Sequence, residues 1–191
     1  MSPDLSSELA NNHFNEEAAA RDRRHWELQY AARFVAKWEG FLPTAYLDTI
    51  ASPPVLTQGY GHTRYAGDPI PQPGTTWSEN KAMHVLTHDL RETARAVDAK
   101  IRQKLSFRQR IALISAAYNL GPGILDALAP MINAGRIKAA ADKLLEYDHA
   151  GGVVVEGLLN RRKAERWLML HDHLPNPHRA RPIHPKRKGV R

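Results

Sequence analysis

The chain has 191 residues, no cysteine and a formal net charge of +7. That length suits one domain with a real core, and the lack of cysteine excludes both a disulfide framework and a thiolate metal site. No apolar run approaches the roughly 20 residues that span a bilayer, and the polar start MSPDLSSELANNHFNEEAAARDRRHW has no apolar stretch of the kind a secretory signal carries.

The expectation is therefore a protein without signal peptide or membrane anchor, made in a reducing cytosol. Six of the seven net charges fall from His178 onward, on Arg179, Arg181, Lys186, Arg187, Lys188 and Arg191, with no acid among them. Such a tail either binds an anionic polymer or lipid, or is simply solvated. The remainder is nearly neutral.

Residues 1–21 carry no sustained apolar period and read as a flexible or helical arm. From Asp22 to Trp38, Trp26, Tyr30, Phe34 and Trp38 recur every four positions, one face of an amphipathic helix. Trp26, Trp38 and, further on, Trp167 are read as core. Gly40 follows where a helix-terminating glycine is expected. Glu39 thus falls in the last turn, where the helix dipole disfavours an anion.

Tyr46–Asp48 and Val55–Thr57 read as two strand pieces around a Ser52-Pro53-Pro54 turn. Gly59 and Gly61 suggest a bulge or a close backbone approach, and residues 64–76 read as loop. Ser78 caps a long helix with Leu86, Leu90, Val97 and Ile101 along one stripe, and Trp77 with Ala82 fits a hydrophobic staple. Ser106 with Gln109 fits a capping box. The segment that follows, Ile111 to Leu120, is apolar nearly all round, the mark of a buried central helix. Shorter helices are expected at 124–133, 136–147 and 158–171.

Cleaving a glycosidic bond takes one carboxyl to protonate the leaving oxygen and a second group to activate water or stabilise the cationic sugar. Glu39 and Asp48, with little other charge between them, are a candidate pair. Spacing alone leaves them equally readable as surface charges.

Their surroundings are more specific. Glu39-Gly40, Tyr46-Leu47-Asp48, Thr57 and Gly59-Tyr60-Gly61-His62-Thr63, then Asp89-Leu90, Ala117-Tyr118-Asn119-Leu120-Gly121, Ile132-Asn133-Ala134-Gly135 and Gly157 to Glu165 together resemble the phage lysozyme family, glycoside hydrolase family 24. The blocks occur in the family's order over about residues 26–171.

The resemblance implies an α+β, mostly α, lysozyme-like fold, with a small β-sheet lobe and a helical lobe joined by a long helix. It implies a lysozyme-like domain over 22–172 (β lobe about 40–76, helical lobe about 102–172), followed by the basic tail 173–191. It also implies a muramidase that hydrolyses the β-1,4 bond between N-acetylmuramic acid and N-acetylglucosamine. By resemblance Glu39 is the general acid, and Asp48 and Thr57 position the water. Thr63, Tyr118 and Asn119 line the sugar cleft, His62 pairs with Asp89, and Arg161 lies near Glu39.

Three readings stay double. Tyr118 is either a cleft residue or half-buried core. Arg161 is either a partner of Glu39 or part of a solvated Arg-Arg-Lys face. More residues separate Asp48 from Thr57 than the family pattern has, and Gln58 stands where an aliphatic residue is usual. That insertion either displaces Thr57 or only lengthens a hairpin tip, where insertions are tolerated.

No cofactor and no metal are expected, since no His or acid cluster has ligand spacing. The expected partners are peptidoglycan and, for the tail, anionic outer-membrane lipid. No nucleic acid is expected, because the near-neutral remainder offers no basic face, and a monomer is the default. The implied route is accumulation in the host cytoplasm and access to the wall once a separate pore protein opens the membrane. A lytic transglycosylase and a non-catalytic wall-binding protein are the alternatives.

Overall fold

The computed structural model describes residues 5–49 and 53–171, with side chains from residue 16 onward. The tail 173–191 and part of the Ser52-Pro53-Pro54 segment lie outside the described residues. The fold is mostly helical with small antiparallel sheets, an α+β arrangement as expected.

The first helix, α1, runs Leu5–Glu39, well upstream of the start expected at Asp22. Its buried stripe is Ala31, Ala32 and Val35 with Leu28 half-buried, the i, i+3, i+4, i+7 spacing of a helix face. The aromatic face read from sequence is corrected here. Residues four apart rotate about 40° past a full turn at each step, so the series from Trp26 to Trp38 winds off the buried face. Trp26 is 43% exposed, while Tyr30, Phe34 and Trp38 are half-buried rather than core, Trp38 against Phe34. Trp167 is also surface rather than core, 44% exposed and stacked on His171.

Past Gly40, whose φ of 70° turns the chain, β1 (Leu42–Asp48), β2 (Val55–Gly59) and β3 (His62–Thr63) form one antiparallel sheet in that order. The register between β1 and β2 shifts between Leu42 and Tyr46, a stretch that includes Pro43, which has no N–H to give a ladder. The freed Pro43 carbonyl instead accepts from Trp77 N (2.9 Å) and Gln58 Nε2 (2.7 Å).

Gln58 Nε2 also donates to Thr75 O, and its Oε1 accepts from Thr75 Oγ1. The one polar residue in a usually aliphatic place thus stitches β1 and the 64–76 segment to β2, fully buried. Gln58→Leu is expected to cost about 1–3 kcal/mol by leaving two carbonyls without that donor; urea unfolding checks it. The 64–76 segment is loop except for one 3-10 turn, Arg64–Ala66.

The long helix α2 is Glu79–Lys100, capped by the Ser78 side chain on Lys81 N. A Cβ on Gly59 would stand 3.2 Å from both Trp77 and Ala82, so β2 lies directly on the start of α2, where only glycine fits.

α3 (Phe107–Leu120) opens with the Ser106–Gln109 capping box and buries Ile111 to Ala117 without interruption. α4 (Ile124–Asn133), α5 (Ile137–Leu144) and α6 (Glu156–Leu170) surround it, supplying Leu125, Leu128, Ile132, Leu144 and Met169 to one core. Asn133 ends α4 by accepting from Arg102 N and Gln103 N and donating to Lys100 O, which clamps the exit of α2.

A hairpin unforeseen from sequence, β4 (His149–Ala150) and β5 (Val153–Val154), turns on Gly151-Gly152. Both glycines have positive φ, as a two-residue hairpin loop requires.

Candidate active site

Glu39 ends α1, and its carboxylate is one-fifth exposed. Oε1 accepts from Arg161 Nη1 of α6 at 2.5 Å. Oε2 faces the β2–β3 turn: a Cβ on Gly61 would sit 3.7 Å from it and 3.7 Å from the Tyr118 hydroxyl. Gly61 has φ 85°, a conformation L side chains rarely adopt. Glycine is therefore required there by the backbone conformation that brings the turn to the carboxylate.

Arg161 is not on a solvated face. It is 2% exposed, and the neighbouring Arg162 is fully buried. Arg161 donates to the Ser115 carbonyl (3.2 Å) and to Ser115 Oγ, both on α3, and to Glu165 Oε1 one turn along α6. Ser115 Oγ in turn donates to Glu165 Oε1 at 2.6 Å. Arg162 Nη2 donates to Glu165 Oε1 (3.2 Å) and to Asn119 Oδ1 (2.8 Å). Arg162 Nε is 3.1 Å from Glu165 Oε2, yet badly angled, so neither atom has a true hydrogen bond.

Glu39, Arg161, Glu165 and Arg162 thus alternate in charge through the seam of α1, α3 and α6, ending on Asn119. Burial pushes the Glu165 carboxyl up and the Arg162 guanidinium down, and each charge pulls the other back toward its ionised form. Sequence reading quoted Glu165 and Arg162 in a motif but gave them no role, and it passed over Ser115. The available signal was a lone hydroxyl in an otherwise apolar helix, which needs a buried partner.

Asn119 gains a defined orientation from this. An arginine only donates, so the amide oxygen must face Arg162. Nδ2 then points away and has no acceptor among the described residues. Tyr118 is half-buried and packs against the core, while its hydroxyl donates to Tyr60 O at 3.0 Å. Burial, then the charges of Asp89 and Glu39, push its phenol far up, so it acts as a fixed neutral donor clamping the helical lobe to the β2–β3 turn.

The sheet register decides where the inserted residues go. Asp48 lies opposite Val55, Tyr46 opposite Thr57, and Thr57 opposite Thr63. Opposed residues share a face, as do residues two apart along a strand. Asp48, Thr57 and Thr63 therefore share one face, with Asp48 and Thr57 diagonal neighbours. The extra residues are all spent before Val55, in the connection between β1 and β2. Thr57 is buried, and its hydroxyl makes one long bond to Val55 O (3.5 Å). Thr63 Oγ1 accepts from Tyr65 N and starts the 3-10 turn.

His62, buried on β3, holds Asp89 of α2 through Nδ1 (2.7 Å) and Pro69 O through Nε2 (3.1 Å). The Pro69 carbonyl can only accept, so Nε2 donates, and a carboxylate at Asp89 favours a proton on Nδ1 as well. Burial opposes the charged ring, but Asp89 and the backbone carbonyls outweigh it and hold His62 above its ordinary value. The stabilisation is therefore complete below about pH 6.5 and is lost as pH rises through the raised folded value. Thermal melts are expected to drop above neutrality, with that slope absent in His62→Gln. No cluster of three or more His, Asp or Glu able to hold a metal occurs among the described residues.

Residues 36–165 match the Phage lysozyme family. The chain is 38% identical over 134 residues to the SAR-endolysin of Bacteriophage PS119, covering 69% of this chain and 76% of that protein. It is 35% identical over 144 residues to the endolysin of Bacillus phage B103, covering 74% of this chain and 53% of that protein, so it spans about half the length of that relative. Among solved structures, a P22 lysozyme superposes with a TM-score of 0.64 at 28% identity, over 74% of this chain and 95% of that one. The endolysin from Escherichia coli O157:H7 phage FAHEc1 gives 0.65 at 26%, over 76% and 94%. By sequence over residues 36–165, and by a fold that overlays nearly the whole of those lysozymes, the chain belongs to the phage lysozyme family.

Proposed function

We propose that the chain is a phage endolysin that hydrolyses the β-1,4 bond between N-acetylmuramic acid and N-acetylglucosamine, with Glu39 as general acid. The observation that carries this is the placing of Glu39. It stands at the end of α1, held on one side by the buried Arg161 and met on the other by a glycine turn of the sheet that bears Asp48 and Thr57.

Glu39 delivers its proton to the glycosidic oxygen as the bond breaks. Asp48 and Thr57 hold the attacking water from the sheet face they share, the carboxylate accepting its proton and the hydroxyl fixing its position. Thr63 and Asn119 Nδ2 supply polar contacts to the sugars. Arg161 fixes the Glu39 rotamer, since its other donors are spent on Ser115 and Glu165.

A lytic transglycosylase uses no water-holding pair, so the shared face of Asp48 and Thr57 supports hydrolysis instead. The test is the appearance of reducing sugar ends in purified peptidoglycan incubated with the full chain. Their absence would overturn the assignment.

The monomeric state, the contact of tail 173–191 with anionic outer-membrane lipid, and passage from host cytoplasm to wall through a membrane opened by another protein belong to the same proposal. Among the described residues no helix is long and apolar enough to cross a membrane. Fractionation of expressing cells before and after membrane permeabilisation tests the route: protein already outside the membrane beforehand would contradict it.

A further inference from the structure

A groove between α1 and α2 has no part in the Glu39 cluster. Arg21, Arg24, His25 and Leu28 line it from α1, with Gln29 and Arg33, and Met83, His84, Thr87, His88 and Arg91 line it from α2. On α1 the first four follow the spacing i, i+3, i+4, i+7. On α2, His84, Thr87, His88 and Arg91 follow the same spacing, so each helix turns one face to the groove. The floor is the half-buried Leu28, Gln29, Met83 and Thr87, and the arginines and histidines stand exposed along the rim.

No carboxylate lines the groove among the described residues. Several arginines elsewhere are paired with carboxylates: Arg95 with Glu92, Arg110 with Glu27 and Asp98, Arg161 with Glu39, and Arg166 with Asp142. Arg21, Arg24, Arg33 and Arg91 have no such partner among the described residues. Arg33 lies over the Tyr30 ring, Gln29 bonds His25, and His88 is 4.0 Å from the Asp89 carboxylate that His62 holds. Glu27, on the same helix, feels Arg24 but is bonded to Arg110 in the adjoining pocket.

Arg21, Arg24 and Arg33 on α1 and Arg91 on α2 gather positive charge along one groove, and a bound anion would offset their mutual repulsion. The near-neutral sum of charge outside the tail conceals this concentration. The α1 side of the groove lies before residue 36, where the match to the family model begins.

We propose that this groove binds paired phosphate groups. Guanidinium forks match phosphate oxygens two at a time, and the two basic faces can grip phosphates from opposite sides. The apolar floor of Leu28 and Met83 suits a phosphorylated lipid headgroup, whose glycerol or sugar backbone would lie on it, better than a fully hydrated free phosphate.

The test uses the full chain. Inorganic pyrophosphate is titrated while the ring signals of His25, His84 and His88 are followed by NMR, and co-sedimentation is measured with vesicles of phosphatidylglycerol and phosphatidylcholine in equal parts. The variant Arg24→Gln/Arg91→Gln is compared with Arg102→Gln/Arg136→Gln, which removes the same charge at exposed sites elsewhere and corrects for the tail. Thermal melts confirm that both variants fold.

The groove variant is expected to weaken pyrophosphate binding about tenfold or more, since each arginine supplies charged hydrogen bonds. The control stays near wild type. Loss of vesicle binding in the groove variant alone assigns the phosphates to a lipid headgroup, while vesicle binding equal to the control's assigns them to a soluble phosphate. Equal loss of pyrophosphate binding in the two variants, or no movement of the three histidine rings, overturns the proposal.

Discussion

Glu39→Gln is expected to lower peptidoglycan hydrolysis by about 10²–10⁴-fold, the usual contribution of a general acid. The amide keeps the size of the carboxyl and still accepts from Arg161 through its oxygen. Arg161 remains bonded to Ser115 and Glu165, so no buried cation is stranded. Activity and stability should therefore separate: the melting temperature moves by a few degrees while turnover collapses. The comparison needs only a turbidity assay on purified sacculi and a thermal melt of the same preparation. A variant that keeps more than about a tenth of wild-type turnover would remove Glu39 from the acid role.

Glu165→Ala is the substitution expected to damage the fold most. Glu165 is fully buried and sits between two buried guanidinium groups. Taking away one member of such a network leaves uncompensated charge in the interior, at a cost of about 3–5 kcal/mol. That is a large share of the roughly 5–15 kcal/mol that holds a domain folded. Denaturant unfolding of wild type and variant measures it. A loss below about 1 kcal/mol would mean that water reaches Arg161 and Arg162, and that the network does not position Glu39.

Local signals in the sequence led directly to structure. Ser106 and Gln109 form the capping box, Ser78 caps α2, and the apolar run Ile111 to Ala117 is a buried helix, because each depends on neighbours within a turn or two. The errors came where a wider frame decides. The four-residue spacing of Trp26 to Trp38 looked like a face, but slow rotation around α1 left Trp26 outside, and the small residues Ala31, Ala32 and Val35 took the interface. The hairpin at 149–154 was written in Gly151-Gly152 and passed over because its strands are only two residues long.

The candidate site divides in the same way. The resemblance located Glu39 and set His62 beside Asp89, and the structure holds that pair 2.7 Å apart. The place of Thr57 stayed open in sequence because it depends on strand register, which the β1–β2 connection fixes only in three dimensions. Arg161 was open between a partner of Glu39 and a solvated Arg-Arg-Lys face, and Arg162 and Glu165 had no role. Their burial comes from Ser115 and Asn119, more than forty residues away along the chain, and no local period reveals it. The groove between α1 and α2 was hidden by arithmetic, since a near-zero sum says nothing about where the charges stand.

The most direct test of the central claim is mass spectrometry of the fragments that wild type and Glu39→Gln release from purified peptidoglycan. Hydrolysis with Glu39 as acid predicts fragments ending in reducing N-acetylmuramic acid from the wild type and almost none from the variant. Anhydro-muramic ends from the wild type, or equal release by the variant, would contradict it.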